Sequence, residues 1–456
     1  MALESINPKN KKLIKAFDEL SQSQVDQKLS KAEKAFAELK EASFADKKKW
    51  MKQVAGILRE RKAEFAQIIT DEVGKTLSAS EAEVEKCAAT CDFYADNAEE
   101  FLSPEKIESD AGESYTRFDP LGVVLAVMPW NFPFWQVFRF AAPALMAGNV
   151  GVLKHASNVQ MSAFAMEDIF ESSGFPKNVF QNLAITSSKV EGVIRDQRIK
   201  AVTLTGSEKA GSAVAKTAGE EIKKTVLELG GSDPFIVLAD ADIDSAVTAA
   251  VTARMQFNGG QSCIAAKRFI VAEAVVDEFI DKLKAAVSKL KVGDPTDADT
   301  DVGPLVNEQM VNDLDRQVKE SVGMGAKLVC GGKVEGLEGY YFEPVIITDL
   351  TENMPVLNEE TFGPAFAVVK VKDASEAVSV ANNSRYGLGA NVFTKDIEYA
   401  KEHIAPKIES GAVFINGPIK SDPRLPFGGV KKSGYGRELS HYGIKEFVNI
   451  KTVWVK

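Results

Sequence analysis

The chain has 456 residues, of which 45% are hydrophobic and 26% are charged, and its formal net charge is −10. This composition is typical of a globular protein of about two to three domains, and the acidic balance argues against a nucleic-acid or anionic-membrane surface. The three histidines are scattered singly, and Cys87 and Cys91, four positions apart, are too few ligands for a zinc site, so we expect no metal site. The four cysteines do not have the spacing of a disulfide framework. The beginning of the chain lacks a signal-peptide pattern, and a reducing cytoplasm is the expected location.

The first hundred residues show the spacing of amphipathic helices. Between residues 10 and 100, Ala, Leu, Phe and Ile recur at three- and four-residue intervals among Lys and Glu. Residues 113–118 then alternate like a half-exposed strand. The pattern therefore predicts a helical segment followed by a strand.

The first buried strand, residues 122–128, leads into an asparagine held between two prolines. Ligands of α/β sheets bind beyond the carboxyl ends of strands, so the Asn131 amide could donate a hydrogen bond to an oxyanion. An ordinary turn asparagine is the alternative. A second strand, residues 149–154, ends at Lys154, which could contact a ribose or phosphate, or simply lie at the surface.

A Gly-Ser turn, Gly206–Ser207, follows the strand-like residues 201–205 and opens a helix. Backbone N–H groups at such a helix start suit a phosphate, although an ordinary N-cap has the same sequence pattern. The G-x-G-x-x-G dinucleotide fingerprint is absent from the chain. Further on, Glu228 lies in an apolar run, where burial would raise its pKa and make it a candidate base. The alternative is a carboxylate on the polar side of a strand.

Cys263 lies in a glycine-rich polar turn between a helix-like run, residues 243–255, and a strand-like run, residues 268–271. An activated thiol in such a turn could attack an aldehyde and form a thiohemiacetal. A small buried hydrophobic cysteine is the alternative. Further α/β units follow, and residues 447–455 predict a long strand that pairs with another subunit or with residues 113–118.

Six short motifs together resemble the NAD(P)-dependent aldehyde dehydrogenase superfamily over essentially the whole chain. Each motif is modest alone, but their order and spacing are highly specific. The similarity is greatest to the short bacterial succinate-semialdehyde dehydrogenases. The motifs are 129–133, 204–207 with Gly211, 227–231, 260–263, 360–364, and 426–431 with Ser433 and Gly434.

The resemblance implies an α/β fold with a Rossmann-like cofactor domain, an α/β catalytic domain and a small β oligomerisation piece. Relatives are dimers or tetramers, so we expect a homodimer or homotetramer that acts on a small aldehyde. The implied boundaries are 1–103 and 121–230 for the NAD(P)-binding domain, 231–428 for the catalytic domain, and 104–120 and 429–456 for the oligomerisation segments.

The resemblance also implies a role for each motif. Cys263 is the nucleophile, Asn131 and the Cys263 backbone N–H form the oxyanion hole, and Glu228 activates the water that hydrolyses a thioester. The implied cofactor-binding residues are Trp130, Lys154, Ser157, Gly206, Ser207, Gly211, Leu229, Glu360 and Phe362.

Cofactor choice depends on the residue three positions after Lys154. Many NAD-using relatives have a glutamate there, which binds the ribose 2′-hydroxyl and repels a 2′-phosphate. This chain has Ser157 instead. We therefore expect NADP to be accepted or preferred, with NAD as the alternative.

Arg139 matches the carboxylate-binding arginine of succinate-semialdehyde dehydrogenases, and an arginine can clamp a carboxylate with two hydrogen bonds. A structural arginine is the alternative. Some relatives carry a second arginine where this chain has Phe257, and residues 420–424 offer replacement polar groups. The expected substrate-binding residues are Trp135, Arg139, Phe257, Ser262 and Ser421.

The expected function is oxidation of an aldehyde, with succinate semialdehyde the first candidate. Another short aliphatic or aromatic aldehyde is the nearest alternative. A CoA-acylating enzyme is a further one, against which Glu228 argues because a thiol acceptor needs no water-activating base. A non-catalytic binding protein on the same scaffold is the alternative from a different functional class.

Overall fold

A computed structural model describes residues 3–255 and 258–456 as an α/β protein. No helix in these two ranges is long and apolar enough to cross a membrane. The α-helices are α1 (Gln22–Leu39), α2 (Phe44–Glu60), α3 (Lys62–Val73), α4 (Leu77–Phe101), α5 (Trp135–Met146), α6 (Gln160–Ser172), α7 (Val190–Arg195), α8 (Glu208–Glu220), α9 (Ile243–Met255), α10 (Val276–Val287), α11 (Glu308–Gly323), α12 (Pro355–Asn358), α13 (Ala374–Asn382), α14 (Ile397–Tyr399) and α15 (Ser440–Ile444).

Twenty strands form five separate sheets within the described ranges. The strands are β1 (Leu3–Asn7), β2 (Lys12–Phe17), β3 (Glu105–Lys106), β4 (Glu113–Pro120), β5 (Val123–Met128), β6 (Val150–His155), β7 (Phe180–Asn182), β8 (Ile199–Thr205), β9 (Lys224–Glu228), β10 (Asp233–Val237), β11 (Ala266–Ala272), β12 (Lys327–Lys333), β13 (Phe342–Thr348), β14 (Ala365–Val371), β15 (Tyr386–Gly387), β16 (Ala390–Phe393), β17 (Val413–Ile415), β18 (Val430–Lys431), β19 (Gly434–Tyr435) and β20 (Val448–Val455).

The N-terminal segment differs from the expected helix. Residues 12–17 form β2, which pairs antiparallel with β1, and the first helix begins only at Gln22. The turn of this hairpin is closed by a hydrogen bond from the Lys11 N–H to the Asn7 carbonyl, at 2.8 Å. The helical prediction was wrong for residues 10–17 because β1 supplies backbone partners that the local pattern does not reveal. Helices α1 to α4 then confirm the expected helical region.

The first large sheet has the strand order β19-β9-β8-β5-β6-β7. Strands β5 to β9 run parallel, and only the short β19 is antiparallel. From β5 the chain builds outward through β6 and β7 on one side and through β8 and β9 on the other. The carboxyl ends of β5 and β8 therefore flank a crevice of the kind that binds ligands in open α/β sheets.

The second large sheet has the order β12-β13-β14-β11-β10-β16-β17, and only the edge strand β12 is antiparallel. Its central strand β11 is buried throughout, as expected for a strand covered on both faces. Phenylalanines from β10, β11, β14 and β16 pack against one another in its core. The turn that contains Cys263 enters β11 from this sheet's amino-terminal edge.

The C-terminal strand β20 pairs with β4 over its whole length, from Val448 opposite Pro120 to Val455 opposite Glu113. This is the intrachain partner that the sequence offered as one of two alternatives. Large apolar side chains remain exposed on the outer part of this strand, among them Ile450 and Trp454.

A buried carboxylate fixes the start of helix α6 against the N-terminal region. Glu72, in α3, accepts hydrogen bonds from the backbone N–H groups of Met161 and Ser162 at 2.8 and 2.9 Å. Its carboxylate also accepts from the hydroxyls of Ser162 and Ser5. One side chain therefore satisfies the otherwise unpaired donors of the helix start and holds β1 in place.

We expect Glu72→Ala to lower the stability of the protein because it leaves these buried donors without an acceptor, at about 1–3 kcal/mol for an unsatisfied group. Thermal denaturation should show a Tm reduced by at least about 2 °C. The control is Glu38→Ala, which removes an exposed carboxylate of α1. An equal Tm for the two variants would contradict this role of Glu72.

Candidate active site

Cys263 lies at the junction of two cavities and contributes to the wall of both, as does Gln136. The first cavity has a volume of about 510 Å³ and opens at the crevice between β5 and β8. The second has a volume of about 330 Å³ and runs between α4, α5 and residues 418–421. A thiol in this position can meet ligands that arrive from two separate sides.

The Cys263 turn is held by a buried lysine. The Lys267 ammonium donates to the carbonyl oxygens of Ser262, Cys263 and Ala265, at 2.9, 2.8 and 3.2 Å. Three carbonyls of one short loop thus converge on one cation. Our sequence interpretation did not include Lys267, although a lysine inside an otherwise buried strand is the signal that could have found it.

A second clamp ties the same turn to the loop that contains Glu360 and Phe362. Arg254 donates to the carbonyl of Ala266 at 3.1 Å and to the carbonyl of Thr361 at 3.2 Å. Gly260 has a φ of +81°, and a Cβ there would lie 2.1 Å from the Gly363 carbonyl oxygen. Only glycine allows the two loops to approach this closely.

Asn131 is anchored directly to the Cys263 turn. The Asn131 side-chain amide donates to the Gln261 carbonyl at 3.0 Å, and the Asn131 backbone carbonyl accepts from the Asn258 side-chain amide at 2.9 Å. Since a side-chain amide has two N–H donors, one remains for a ligand in the first cavity, whose wall includes Asn131 and Cys263. This geometry is compatible with the predicted oxyanion hole.

The surroundings of the Cys263 thiol favour its neutral form. Burial raises its pKa to about 12, while the positive charges of Arg139 and Lys267 oppose that rise. The carboxylates of Glu360 and Glu228 raise the pKa of Cys263 further. Formation of the nucleophilic thiolate therefore needs a proton acceptor or a change in the surrounding charge.

Glu228 is the last residue of β9 and is only 2% exposed. Burial raises its pKa well above the usual value, and the neighbouring Glu438 carboxylate raises it further, against the influence of Arg139. Neither carboxylate oxygen has a hydrogen-bond partner within the described ranges, and Oε1 faces Gly428. The described residues that line the two cavities do not include Glu228, so a side-chain rotation must precede any contact with a group on Cys263.

Six of the predicted cofactor-binding residues line the first cavity. Glu360 accepts from the Gly231 N–H at 2.9 Å, and Phe362 meets Trp130 edge to face with ring centroids 6.1 Å apart. A seventh, Gly211, lies behind this wall, where a Cβ would lie 2.5 Å from the Leu229 side chain. The six lining residues are Trp130, Gly206, Ser207, Leu229, Glu360 and Phe362.

The residues present fit a dinucleotide. Ser207 caps α8 by accepting from the Ala210 N–H at 3.3 Å, and the other N–H groups of this helix start are placed for a phosphate. At the end of β6, the Lys154 ammonium is buried, and this burial lowers its pKa with no opposing carboxylate among the described residues. Such an ammonium suits a ribose or phosphate oxygen. Ser157, half-buried, follows it three positions later.

Four predicted substrate-binding residues line the second cavity, namely Trp135, Arg139, Ser262 and Ser421. Phe257, the fifth, lies outside the described residues. Arg139 is buried and forms an ion pair with Glu438, and it also donates to the Thr205 hydroxyl at 3.3 Å. Its guanidinium carbon lies 4.6 Å from the centre of the Phe427 ring.

The second cavity contains another cation that our sequence interpretation missed. Lys86, in α4, donates to the Ser421 hydroxyl at 2.7 Å and lies 3.9 Å from the centre of the Trp135 ring. The amphipathic pattern of α4 predicted that Lys86 is a solvent-facing lysine. Ser421 is 335 positions away in the chain, so no local signal could identify the pair.

Comparison with known proteins identifies the family. Residues 1–453 match the aldehyde dehydrogenase family. The chain belongs to the aldehyde dehydrogenase family. It is 51% identical over 455 residues to a probable succinate-semialdehyde dehydrogenase [NADP(+)] of Synechocystis, with full coverage of both chains. It is 50% identical over 458 residues to succinate-semialdehyde dehydrogenase [NADP(+)] 1 of Mycobacterium tuberculosis, again with full coverage of both.

The fold is shared with solved structures of the family. The succinic semialdehyde dehydrogenase of Streptococcus pyogenes, in complex with NADP⁺, superposes with a TM-score of 0.97 at 40% identity. The match covers 99% of each of the two chains. The expected α/β aldehyde dehydrogenase fold is thereby confirmed, and the protein is an oxidoreductase of this family.

The raised pKa of Cys263 leads to a testable expectation for the enzyme without cofactor. Because the thiol stays protonated at neutral pH, the rate of its alkylation by iodoacetamide should keep rising with pH. It should not level off near about 8.5, the pKa of an unperturbed cysteine. Mass spectrometry of the Cys263 peptide measures this rate separately from the other cysteines. A plateau at or below neutral pH would show instead a thiolate stabilised in the resting site.

Proposed function

We propose that the protein oxidises succinate semialdehyde to succinate, with NADP⁺ as the preferred hydride acceptor and NAD⁺ as the alternative. The observation that carries the proposal is the second cavity, which places the buried Arg139 and the half-buried Lys86 in an apolar channel beside Cys263. A short chain with an aldehyde at one end and a carboxylate at the other matches this distribution of charge. The names of the relatives support the same substrate and cofactor.

The reaction begins at the thiol. We propose that the Cys263 thiol first loses its proton to solvent water. The sulfur then attacks the aldehyde carbon, and the Asn131 amide and the Cys263 backbone N–H stabilise the oxyanion. The product of this step is a thiohemiacetal. When bound, NADP⁺ supplies the acceptor for the hydride that leaves the thiohemiacetal carbon, and a thioester to Cys263 remains. Lys267 and Asn258 keep the sulfur and the amide in position during these steps.

Hydrolysis of the thioester is assigned to Glu228. The carboxyl group must rotate away from Gly428 toward the acyl carbon, which brings it from a buried site to a hydrated one. Leaving the burial that raises its pKa makes the carboxyl group more acidic, so it can lose its proton and then act as the base. Water adds to the acyl carbon, Cys263 leaves with a proton, and succinate is released.

A general aldehyde dehydrogenase is the second candidate. The wall of the second cavity also contains Phe132, Trp135, Ile419 and Phe427, and these side chains suit an uncharged aliphatic or aromatic aldehyde. A non-catalytic binding protein, the alternative from a different functional class, would need neither a thiol at the cavity junction nor a buried carboxyl group behind it.

Domain boundaries, assembly and location also belong to this proposal. We retain 1–103 with 121–230 as the cofactor domain, 231–428 as the catalytic domain, and 104–120 with 429–456 as the oligomerisation segments. The exposed apolar side chains of β20 support assembly into a homodimer or homotetramer. All four cysteines are free, which supports a reducing cytoplasm.

The substrate assignment predicts a preference for a terminal carboxylate. Initial rates with saturating NADP⁺ should give a kcat/KM for succinate semialdehyde at least about tenfold above that for butanal, since a charge-assisted hydrogen bond contributes about 1.5–3 kcal/mol. Cys263→Ala should abolish activity with both. Equal kcat/KM values would favour a general aldehyde dehydrogenase. Full activity of Cys263→Ala would overturn the nucleophile assignment.

The cofactor assignment predicts the effect of Ser157→Glu. The added carboxylate would repel a 2′-phosphate, so the ratio of kcat/KM for NADP⁺ to that for NAD⁺ should fall by at least about tenfold. The matched control is Ser157→Gln, which has almost the same size without the charge and should shift the ratio much less. An unchanged ratio in Ser157→Glu would place the 2′-position of the ribose away from residue 157.

A further inference from the structure

Helix α5, which follows the loop that contains Asn131, begins without a capping side chain of its own. The residue at its N-cap position, Phe134, has no side-chain acceptor for the N–H groups of the helix. The Glu83 carboxylate of α4 takes this role, since its Oε1 accepts from the backbone N–H groups of Phe134 and Trp135, both at 2.9 Å. A carboxylate at a helix N-terminus satisfies unpaired donors and is favoured by the helix dipole. The start of α5 is therefore located by a side chain of another helix.

The second oxygen of the same carboxylate is held by Lys75. The Lys75 ammonium forms an ion pair with Glu83 Oε2, and the two side chains are 0% and 2% exposed. The ammonium also lies 3.8 Å from the centre of the Phe132 ring, whose face favours a positive charge. Glu83 contributes to the wall of the second cavity, but both of its oxygens are occupied by donors of the protein. This buried pair is therefore bound to α5 and to the loop before it.

The buried pair contacts residues 132–134, directly after Asn131 in the chain. On the other side, the Cys263 turn holds Asn131, whose backbone carbonyl accepts from Asn258 and whose side-chain amide donates to Gln261. The direction of the remaining amide N–H depends on these two sets of contacts. A displacement of about 1 Å at a reacting centre can lower a rate by about 10²-fold, so the contacts matter for catalysis.

The position of Lys75 is fixed by the packing of the α3–α4 junction. The preceding residue, Gly74, ends α3 with a φ of +81°, and a Cβ there would lie 2.8 Å from the Pro304 side chain. A Cβ at Gly303 would lie 2.0 Å from the Gly74 carbonyl oxygen, so the two backbones are in direct contact. Lys75 and Asn258 line the same small cavity, of about 20 Å³. Lys75 is therefore placed next to the segment that anchors the proposed oxyanion donor.

We propose that the Lys75–Glu83 pair positions the oxyanion hole, by fixing how the segment that contains Asn131 approaches the Cys263 sulfur. Both members of the pair are positioning residues, because they act through Asn131. This inference rests on the proposed function, since it needs the thiohemiacetal whose oxygen Asn131 stabilises, but it does not depend on which aldehyde is bound. The alternative is a pair that only stabilises the packing of α4 against α5.

The test uses charge-balanced double variants, because replacing one partner alone would leave an uncompensated buried charge. Lys75→Met/Glu83→Leu removes both charges and the acceptor for α5. Lys75→Met/Glu83→Gln also removes both charges, but it keeps a side-chain oxygen that can accept from the same N–H groups. Comparison of the two variants therefore measures the effect of the acceptor at equal charge.

The rate of the first turnover, followed as NADPH formation at saturating NADP⁺ and aldehyde, reports on the steps in which the oxyanion forms. We expect the leucine variant to lower this rate by about 10- to 100-fold, and the glutamine variant to recover most of it. The loss should be the same with succinate semialdehyde and with butanal, because the reacting oxygen is common to both.

The same comparison in an Asn131→Ala background separates positioning from stability. Asn131→Ala should lower the first-turnover rate by about 10²- to 10³-fold, the usual effect of removing one oxyanion-hole donor. If the pair acts through Asn131, Lys75→Met/Glu83→Leu should lower the rate of this variant by less than about threefold more, since residues that act as a unit are not additive. An equal loss in both backgrounds would show a purely structural pair and overturn the proposal, as would an unchanged rate with Asn131 present.

Glu83→Asp covers the case in which the leucine variant does not fold. It keeps both charges and withdraws the carboxylate by one methylene group. We expect it to lower the first-turnover rate by at least about fivefold with Asn131 present, and to have little effect in the Asn131→Ala background. The same factor in both backgrounds would again contradict the positioning role.

The outcomes also distinguish this inference from the proposed function. If Asn131→Ala leaves the first-turnover rate unchanged, the oxyanion hole of the proposed function is wrong, and the positioning role fails with it. If Asn131→Ala lowers the rate but neither Glu83→Asp nor Lys75→Met/Glu83→Leu does so, only the positioning role is overturned.

Discussion

The convergence of three loop carbonyls on the Lys267 ammonium is the constraint on which the site depends. These hydrogen bonds shape the turn that presents the Cys263 sulfur at the meeting point of two cavities. The ammonium is fully buried, so the carbonyl dipoles, together with the nearby Glu360, replace the water that it loses. Because a backbone carbonyl cannot lose its partner at low cost, the turn is rigid where the chemistry needs precision.

The same turn is fastened to both large sheets. Asn131, beyond the end of β5, donates to Gln261, while Arg254 connects the start of β11 with the loop before β14. The oxyanion donor and the sulfur are thereby placed relative to each other by direct hydrogen bonds. A displacement of either sheet would move both groups together, which protects the geometry of the reacting centre.

Charge is distributed around the thiol in an unbalanced way. Arg139 and Glu438 neutralise each other, whereas Glu228 stays buried without a partner within the described ranges, and its pKa is raised in consequence. Buried, unpartnered ionisable groups reduce stability and cluster at functional sites. In the proposed mechanism, this unfavourable environment favours movement of the Glu228 carboxyl group toward the hydrated cavity once the thioester has formed.

The sequence by itself determined the class of the protein. Buried runs such as residues 122–128 indicated the parallel strands. The order of six short motifs indicated the family, because the backbone conformation at Gly260 and at the end of β5 restricts which residue types can occupy these positions. The local sequence pattern did not predict the β1–β2 hairpin, and it did not assign a role to Lys267 or Lys86. Tertiary structure alone paired Arg139 with Glu438 and left Lys86 without a carboxylate partner among the described residues. Arg139 and Glu438 are about 300 positions apart in the chain. Electrostatic partners at such a separation depend on packing and not on any local periodicity.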